Sequence, residues 1–213
     1  MGLCGSSQRL GTVDSPTQSA RVHQHEVQPQ QRMTIADLIA RGANQNDRAV
    51  GHTGFSHISD LTAFNQRYPL PRYAYRAHFG DTEEIQQYGL ERSGINQQRG
   101  DDYLVQILKH SASTGGSGGE VLSLSGSQRV ASGFAEGRTL ARVDTQADPG
   151  KFMTLAQILL QHGDRLMAEN KVTPSIVLKA LQNMVSEGEY EIFHLDGDVP
   201  RHAVVDFPSR LQR

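Results

Sequence analysis

The side chains best equipped for chemistry stand in three places far apart in this chain. The first is Arg76, in Tyr75-Arg76-Ala77-His78; its guanidinium is a rigid donor fork that matches phosphate and carboxylate oxygens. The second is Val121-Leu122-Ser123-Leu124-Ser125, which sets two hydroxyls two positions apart. The third is the alternation Glu187, Glu189, Glu191, whose carboxylates all leave one face if the segment is a strand. Each has an ordinary reading on its own: a solvated or paired surface arginine, turn serines, an exposed strand face. Specificity lies in the ordered set and in the elements that carry it.

Those elements follow from pattern. Residues 1–32 are dominated by Ser, Thr, Gln, Gly and His and hold no aromatic side chain. Such a stretch cannot bury enough apolar area to offset its ordering entropy, and it reads as a disordered arm. A connecting segment, 33–70, carries a short helix over 33–40 with Thr34 as cap and Gly42 as stop; 43–70 looks irregular. From residue 71 to 213 a folded domain is expected. Alternating aromatic and small residues predict a strand at 73–79, then a helical turn at 83–88 ended by Gly89. Apolar positions 104, 105, 107 and 108 predict an amphipathic helix over 101–110. A Gly-rich loop at 113–119 leads to a strand at 120–125, a helix at 129–135 and a strand at 139–145. Helices follow at 154–168 and 174–186, the second opened by Thr173 and Pro174. The Asp196-Gly197 turn predicts a closing β-hairpin between 190–195 and 203–207. Short strands with helices between them argue an α+β fold.

In that context the three segments resemble, in order, the signature of the cholera- and pertussis-toxin-like mono-ADP-ribosyltransferases, the arginine–serine–glutamate class. Tyr75-Arg76-Ala77-His78, with Asp81-Thr82-Glu83-Glu84-Ile85 and Gly89-Leu90, looks like the family's aromatic-Arg strand and the acidic turn after it. Ser123-Leu124-Ser125, followed by Val130-Ala131 and Phe134, looks like its Ser-Thr-Ser strand end and following helix. Glu189-Tyr190-Glu191-Ile192-Phe193 looks like its Glu-x-Glu before apolar residues. The resemblance spans about 73–207 and implies a split two-sheet ADP-ribosyltransferase fold with short helices.

The resemblance also implies roles. NAD would be the substrate, with no metal. Cleaving its nicotinamide–ribose bond develops an oxocarbenium-like cation on the sugar, which a carboxylate beside the ribose stabilises. That acid would be Glu191. Arg76 would hold the phosphate and ribose end of NAD, Ser123 would keep glutamate and ribose in register, and Ser125 and His78 would line the cofactor site. Glu189 would receive the guanidinium of a target arginine. Periodicity does not choose among Glu187, Glu189 and Glu191; the apolar Ile192-Phe193 favours Glu191 as the catalytic acid. Two residues depart from the family pattern: Leu124 stands where Thr is usual, and His78 where the toxins carry Asp. They leave open a pseudoenzyme that keeps the fold and binds a host protein without using NAD. NAD hydrolysis with water as acceptor is a further option, as is self-modification at Arg32, Arg41 or Arg48.

Met1-Gly2-Leu3-Cys4-Gly5-Ser6 fits N-myristoylation at Gly2. One myristoyl chain binds membranes with only about 10⁴ M⁻¹, so a second signal is needed, and palmitate on Cys4 would supply it. A bacterial toxin-like enzyme with a eukaryotic lipidation site resembles a type III effector of plant-pathogenic bacteria. It would be secreted into the host cell, held at the cytoplasmic face of the host plasma membrane, and act there as a monomer on a host protein. Composition excludes several alternatives. The net charge of −2 provides no basic footprint for nucleic acid, and a single cysteine rules out a disulfide framework. The Gly-rich loop lacks the Gly-Lys-Ser/Thr ending of a phosphate loop, and the histidines show no metal-ligand spacing.

Overall fold

The computed structural model describes residues 33–44, 53–94, 97–113, 120–186 and 191–209. Gly2, Cys4, Glu187, Glu189, the arm 1–32 and most of the Gly-rich loop lie outside the described residues.

Pairing defines the architecture. β1 (Tyr73–His78), β2 (Ser123–Ser125), β3 (Thr139–Asp144), β4 (Phe152–Thr154), β5 (Glu191–His194) and β6 (Val204–Asp206) form one antiparallel sheet in the order β4-β5-β2-β1-β3-β6. The class is α+β. A single sheet replaces the expected pair of sheets, and the register shows why the two descriptions lie close together. β1 pairs with β3 along its whole length, from Tyr73↔Asp144 to His78↔Thr139, whereas β1 meets β2 at Tyr75↔Ser125. Two three-stranded halves are therefore joined at a narrow seam, which keeps them one sheet.

The predicted helices are present as α1 (Ile35–Ala43), α3 (Thr82–Tyr88), α4 (Gly100–Ala112), α5 (Gln128–Gly133) and α8 (Pro174–Ser186). Thr34 caps α1 through a reciprocal box with Asp37. The helix 154–168 is interrupted: α6 (Leu155–Ile158) passes through a π-helical turn (Leu159–Gly163) into α7 (Asp164–Ala168). The extra residue in that turn aims Asp164 at α1, where its carboxylate accepts the Ile35 N–H at 2.6 Å. A Cβ on Gly163 would lie 2.5 Å from Ile35 Cδ1, so any larger residue there would make the end of the Ile35 side chain shift.

The segment 43–70, read as irregular, contains α2 (Ile58–Arg67). Its pattern is weak because Leu61 alone of its residues is buried; Asp60 starts it by accepting the Ser56 and His57 N–H groups. The described residues of 33–70 pack with the rest of the domain: Ile35, Leu38, Ile39 and Leu61 sit in the same apolar cluster as Tyr103, Leu108, Leu181 and Phe193. A second cluster covers the other sheet face with Ala74, Leu124, Val143, Ile192, Ile85 and Val199.

The closing hairpin does not form. β5 pairs with β2 and β4, β6 pairs with β3, and the two lie in opposite halves of the sheet. Arg92 causes the diversion. Its buried guanidinium bonds Asp198 Oδ1 (3.2 Å), Asp196 O (3.4 Å) and Gln98 O (3.1 Å) and stacks on Tyr103. Leu90 bridges Val199, so the chain after Asp196-Gly197 is drawn toward the loop after α3 and away from β5. Among the described residues no helix is long and apolar enough to cross a membrane.

Candidate functional site

Strand alternation places the serines. Ser123 and Ser125 leave one face of β2 while Leu124, 1% exposed, packs into the core beyond the other. Across the ladder Ser125 lies directly opposite Glu191, and Ser123 opposite Phe193. The two hydroxyls and the carboxylate thus share a face by register alone. β1 then brings Arg76 to the seam, where its Nη1 donates to the Ser123 carbonyl at 2.9 Å and lies 3.5 Å from Ser123 Oγ. Arg76, Ser123, Ser125 and Glu191, singled out from sequence, all line one cavity of about 330 Å³. Phe134, 61% exposed, stands on the same cavity.

Three further residues complete the surroundings of Glu191. Ser111 Oγ donates to Glu191 Oε2 at 2.7 Å, and His110 Nε2 lies 3.3 Å from Oε1. Asn183 of α8 fixes that turn of α4 by donating to the Ser111 carbonyl at 2.9 Å. The Glu191 side chain retains 19% exposure, enough for a small ligand to reach it. Burial pushes its pKa up. The hydrogen bond and charge of His110, aided by the hydroxyls of Ser111 and Ser123, outweigh burial and hold the carboxyl below its ordinary value. The lowered pKa favours the ionised carboxylate in this sheltered place.

His110, Ser111 and Asn183 carry no motif, but one signal was readable. Positions 104, 107, 108 and 111 form the buried stripe of α4, and Ser111 is the polar member of it. A hydroxyl on an apolar stripe needs a partner.

His78 stands apart from this cavity. Its Nδ1 accepts the Gly80 N–H at 3.0 Å, which leaves Nε2 as the protonated nitrogen, donating to the Glu91 carbonyl at 3.0 Å. Both ring nitrogens hold backbone. His78 lines a second cavity of about 580 Å³ that adjoins the first and shares Arg76, Ala77 and His110 with it. The Leu124 side chain packs into the apolar cluster. Among the described residues no group of three or more His, Cys, Asp or Glu could hold a metal ion.

Comparison with family models, with curated proteins and with solved structures gives no match.

Proposed function

We propose that this chain is an NAD-dependent protein mono-ADP-ribosyltransferase that modifies an arginine of a host protein at the membrane. The observation that carries the reading is the convergence of Arg76, Ser123 and an ionised Glu191 on one cavity, across the seam of the sheet. A cavity of about 330 Å³ holds the nicotinamide riboside half of the dinucleotide. The pyrophosphate then passes Arg76, and the adenosine half enters the second lobe.

In the reaction the C1′–N bond to nicotinamide breaks and nicotinamide leaves with the bonding pair. The positive charge left on C1′ and the ring oxygen is stabilised by the Glu191 carboxylate, which His110 and Ser111 hold in place. An acceptor guanidinium nitrogen forms the new bond to C1′ and gives up a proton to solvent. Membrane attachment would come from lipids on Gly2 and Cys4, bringing a type III effector and its target to one surface.

The test is transfer of labelled ADP-ribose from NAD to the small guanidine agmatine, with NAD binding followed by calorimetry. Glu191→Gln should lower transfer by on the order of 10²–10³ while NAD still binds. Unchanged transfer in that variant, or no saturable NAD binding by the wild type, would overturn the reading. Incorporation of a myristate analogue in plant extract, abolished by Gly2→Ala, tests the tether separately.

A further inference from the structure

A groove beside α2 lies apart from the residues of the transfer step. Asp60, Ala63, Phe64 and Arg67 follow one another at helical spacing, so one stripe of α2 lines it. Leu61 belongs to the opposite side and is the buried residue of the helix. The groove encloses about 490 Å³. Aromatic rings form much of its wall, with Phe64 meeting Phe55 edge-on at 5.8 Å and Tyr68 at 4.8 Å. The last turn of α8 lines it as well, and Val185 there stays 37% exposed.

Charge and position together narrow what fits. Among the described residues no carboxylate pairs with Arg67, whose guanidinium lies 5.5 Å over the Tyr68 ring. Asp60, at the other end of the stripe, is already engaged: its Oδ2 accepts the Ser56 and His57 N–H groups at 2.8 and 2.9 Å. Seven residues of helix hold the two charges about 10 Å apart. An apolar, aromatic wall with an available cation at one end complements a large apolar side chain next to a carboxylate. An anionic bilayer surface is drawn instead to clusters of several cations, and one arginine with an acid two turns away is not such a cluster. Position points to the acceptor. Met184 lines both this groove and the cavity of Glu191, so the two spaces adjoin across the end of α8. Val185 also precedes Glu189, the expected receiver of the target guanidinium, by four residues. Four residues span at most about 14 Å.

Resting on the transfer reading above, we propose that this groove is a docking site for the acceptor protein. It takes a segment with a large apolar side chain beside an Asp or Glu, seats the apolar group against Phe64 and Val185, and pairs the acid with Arg67. The acceptor's arginine is thereby delivered to the cavity next door. The test gives the full chain labelled NAD and two kinds of acceptor: agmatine, too small to span groove and cavity, and the proteins of a detergent-solubilised plant extract. Arg67→Glu reverses the cation, and Ala63→Glu sets a carboxylate one turn before Arg67, where it engages that cation itself. Both positions are exposed, so the fold should tolerate either change. Both variants should modify agmatine as the wild type does and label extract proteins at least tenfold less. Arg67→Lys, which keeps the charge, should retain part of the labelling. Extract labelling unchanged in both Glu variants overturns the inference. So does a parallel loss on agmatine, which would make the groove part of the NAD site or of the fold. A wild type that modifies agmatine but no extract protein also overturns it and leaves the NAD reading standing. Binding to phosphatidylserine vesicles that Arg67→Glu abolishes, with protein labelling equal in the two, would identify lipid as the occupant and overturn it too. Transfer to neither acceptor by the wild type defeats the NAD reading and this inference with it.

Discussion

The Ser111 hydroxyl donates to Glu191 Oε2 across 2.7 Å, so α4 and β5 meet at the acid itself. Deleting the donor leaves one oxygen of a largely buried carboxylate short of a partner, at a cost of about 1–2 kcal/mol. Ser111→Ala should therefore slow ADP-ribose transfer to agmatine roughly tenfold and leave NAD affinity nearly unchanged. Steady-state kinetics read this as a loss in kcat. A loss confined to KM would show that Ser111 serves binding instead.

His110 holds the other oxygen, 3.3 Å away. A charge-assisted bond of this kind contributes about 1.5–3 kcal/mol. His110→Ala should lower kcat by at least tenfold, and His110→Gln, which restores a neutral donor, should recover part of it. Equal rates for the two variants would mean that the imidazole only fills space.

The depressed pKa of Glu191 makes stability depend on pH with a fixed sign. In the folded protein this proton binds only at lower pH than in the unfolded chain, so the stabilisation is present above the unfolded value of about 4.3 and is lost as pH falls through the native one. Urea unfolding of wild type and Glu191→Gln between about pH 5 and 3 checks it. The stability difference, wild type minus variant, should shrink on acidification; growth of that difference would contradict the sign.

Arg92 and Gly197 should behave as one unit. Arg92→Met strands two backbone carbonyls and removes the guanidinium from Asp198, whose carboxylate keeps the backbone N–H of residue 92, for a loss of about 2 kcal/mol. Gly197 has φ +95, and a Cβ there would collide with the Arg92 guanidinium, so Gly197→Ala should cost a comparable amount. Because both substitutions dismantle one contact, chemical denaturation of the double variant should show less than the sum of the two losses. Full additivity would mean the two positions act independently.

Legibility in the sequence tracked the range of the forces involved. Local signals were sufficient where the deciding contact is local: the Thr34 cap, the Thr173-Pro174 start of α8, and the strand that carries Arg76 all lie where pattern placed them. Asp196-Gly197 does turn, with Gly197 N donating to His194 O. Yet the partner of the outgoing strand was decided by Arg92, far away in sequence. β4 was missed because Phe152–Thr154 is three residues long and runs straight into a helix. α2 was missed because it buries one side chain. At the site, Arg76, Ser123, Ser125 and Glu191 line the cavity and lie in segments readable as motif. Those that tune it, His110, Ser111 and Asn183, come from helices that meet Glu191 only through tertiary packing.

The narrow join at Tyr75↔Ser125 has a mechanical consequence. Arg76 rides on one leaf of the sheet and Ser123, Ser125 and Glu191 on the other, so a molecule gripped by all of them staples the leaves across their spine. Amide protons bonded across the β1–β2 join should exchange faster than those bonded across the β1–β3 ladder in the free protein and slow when that spine is clasped.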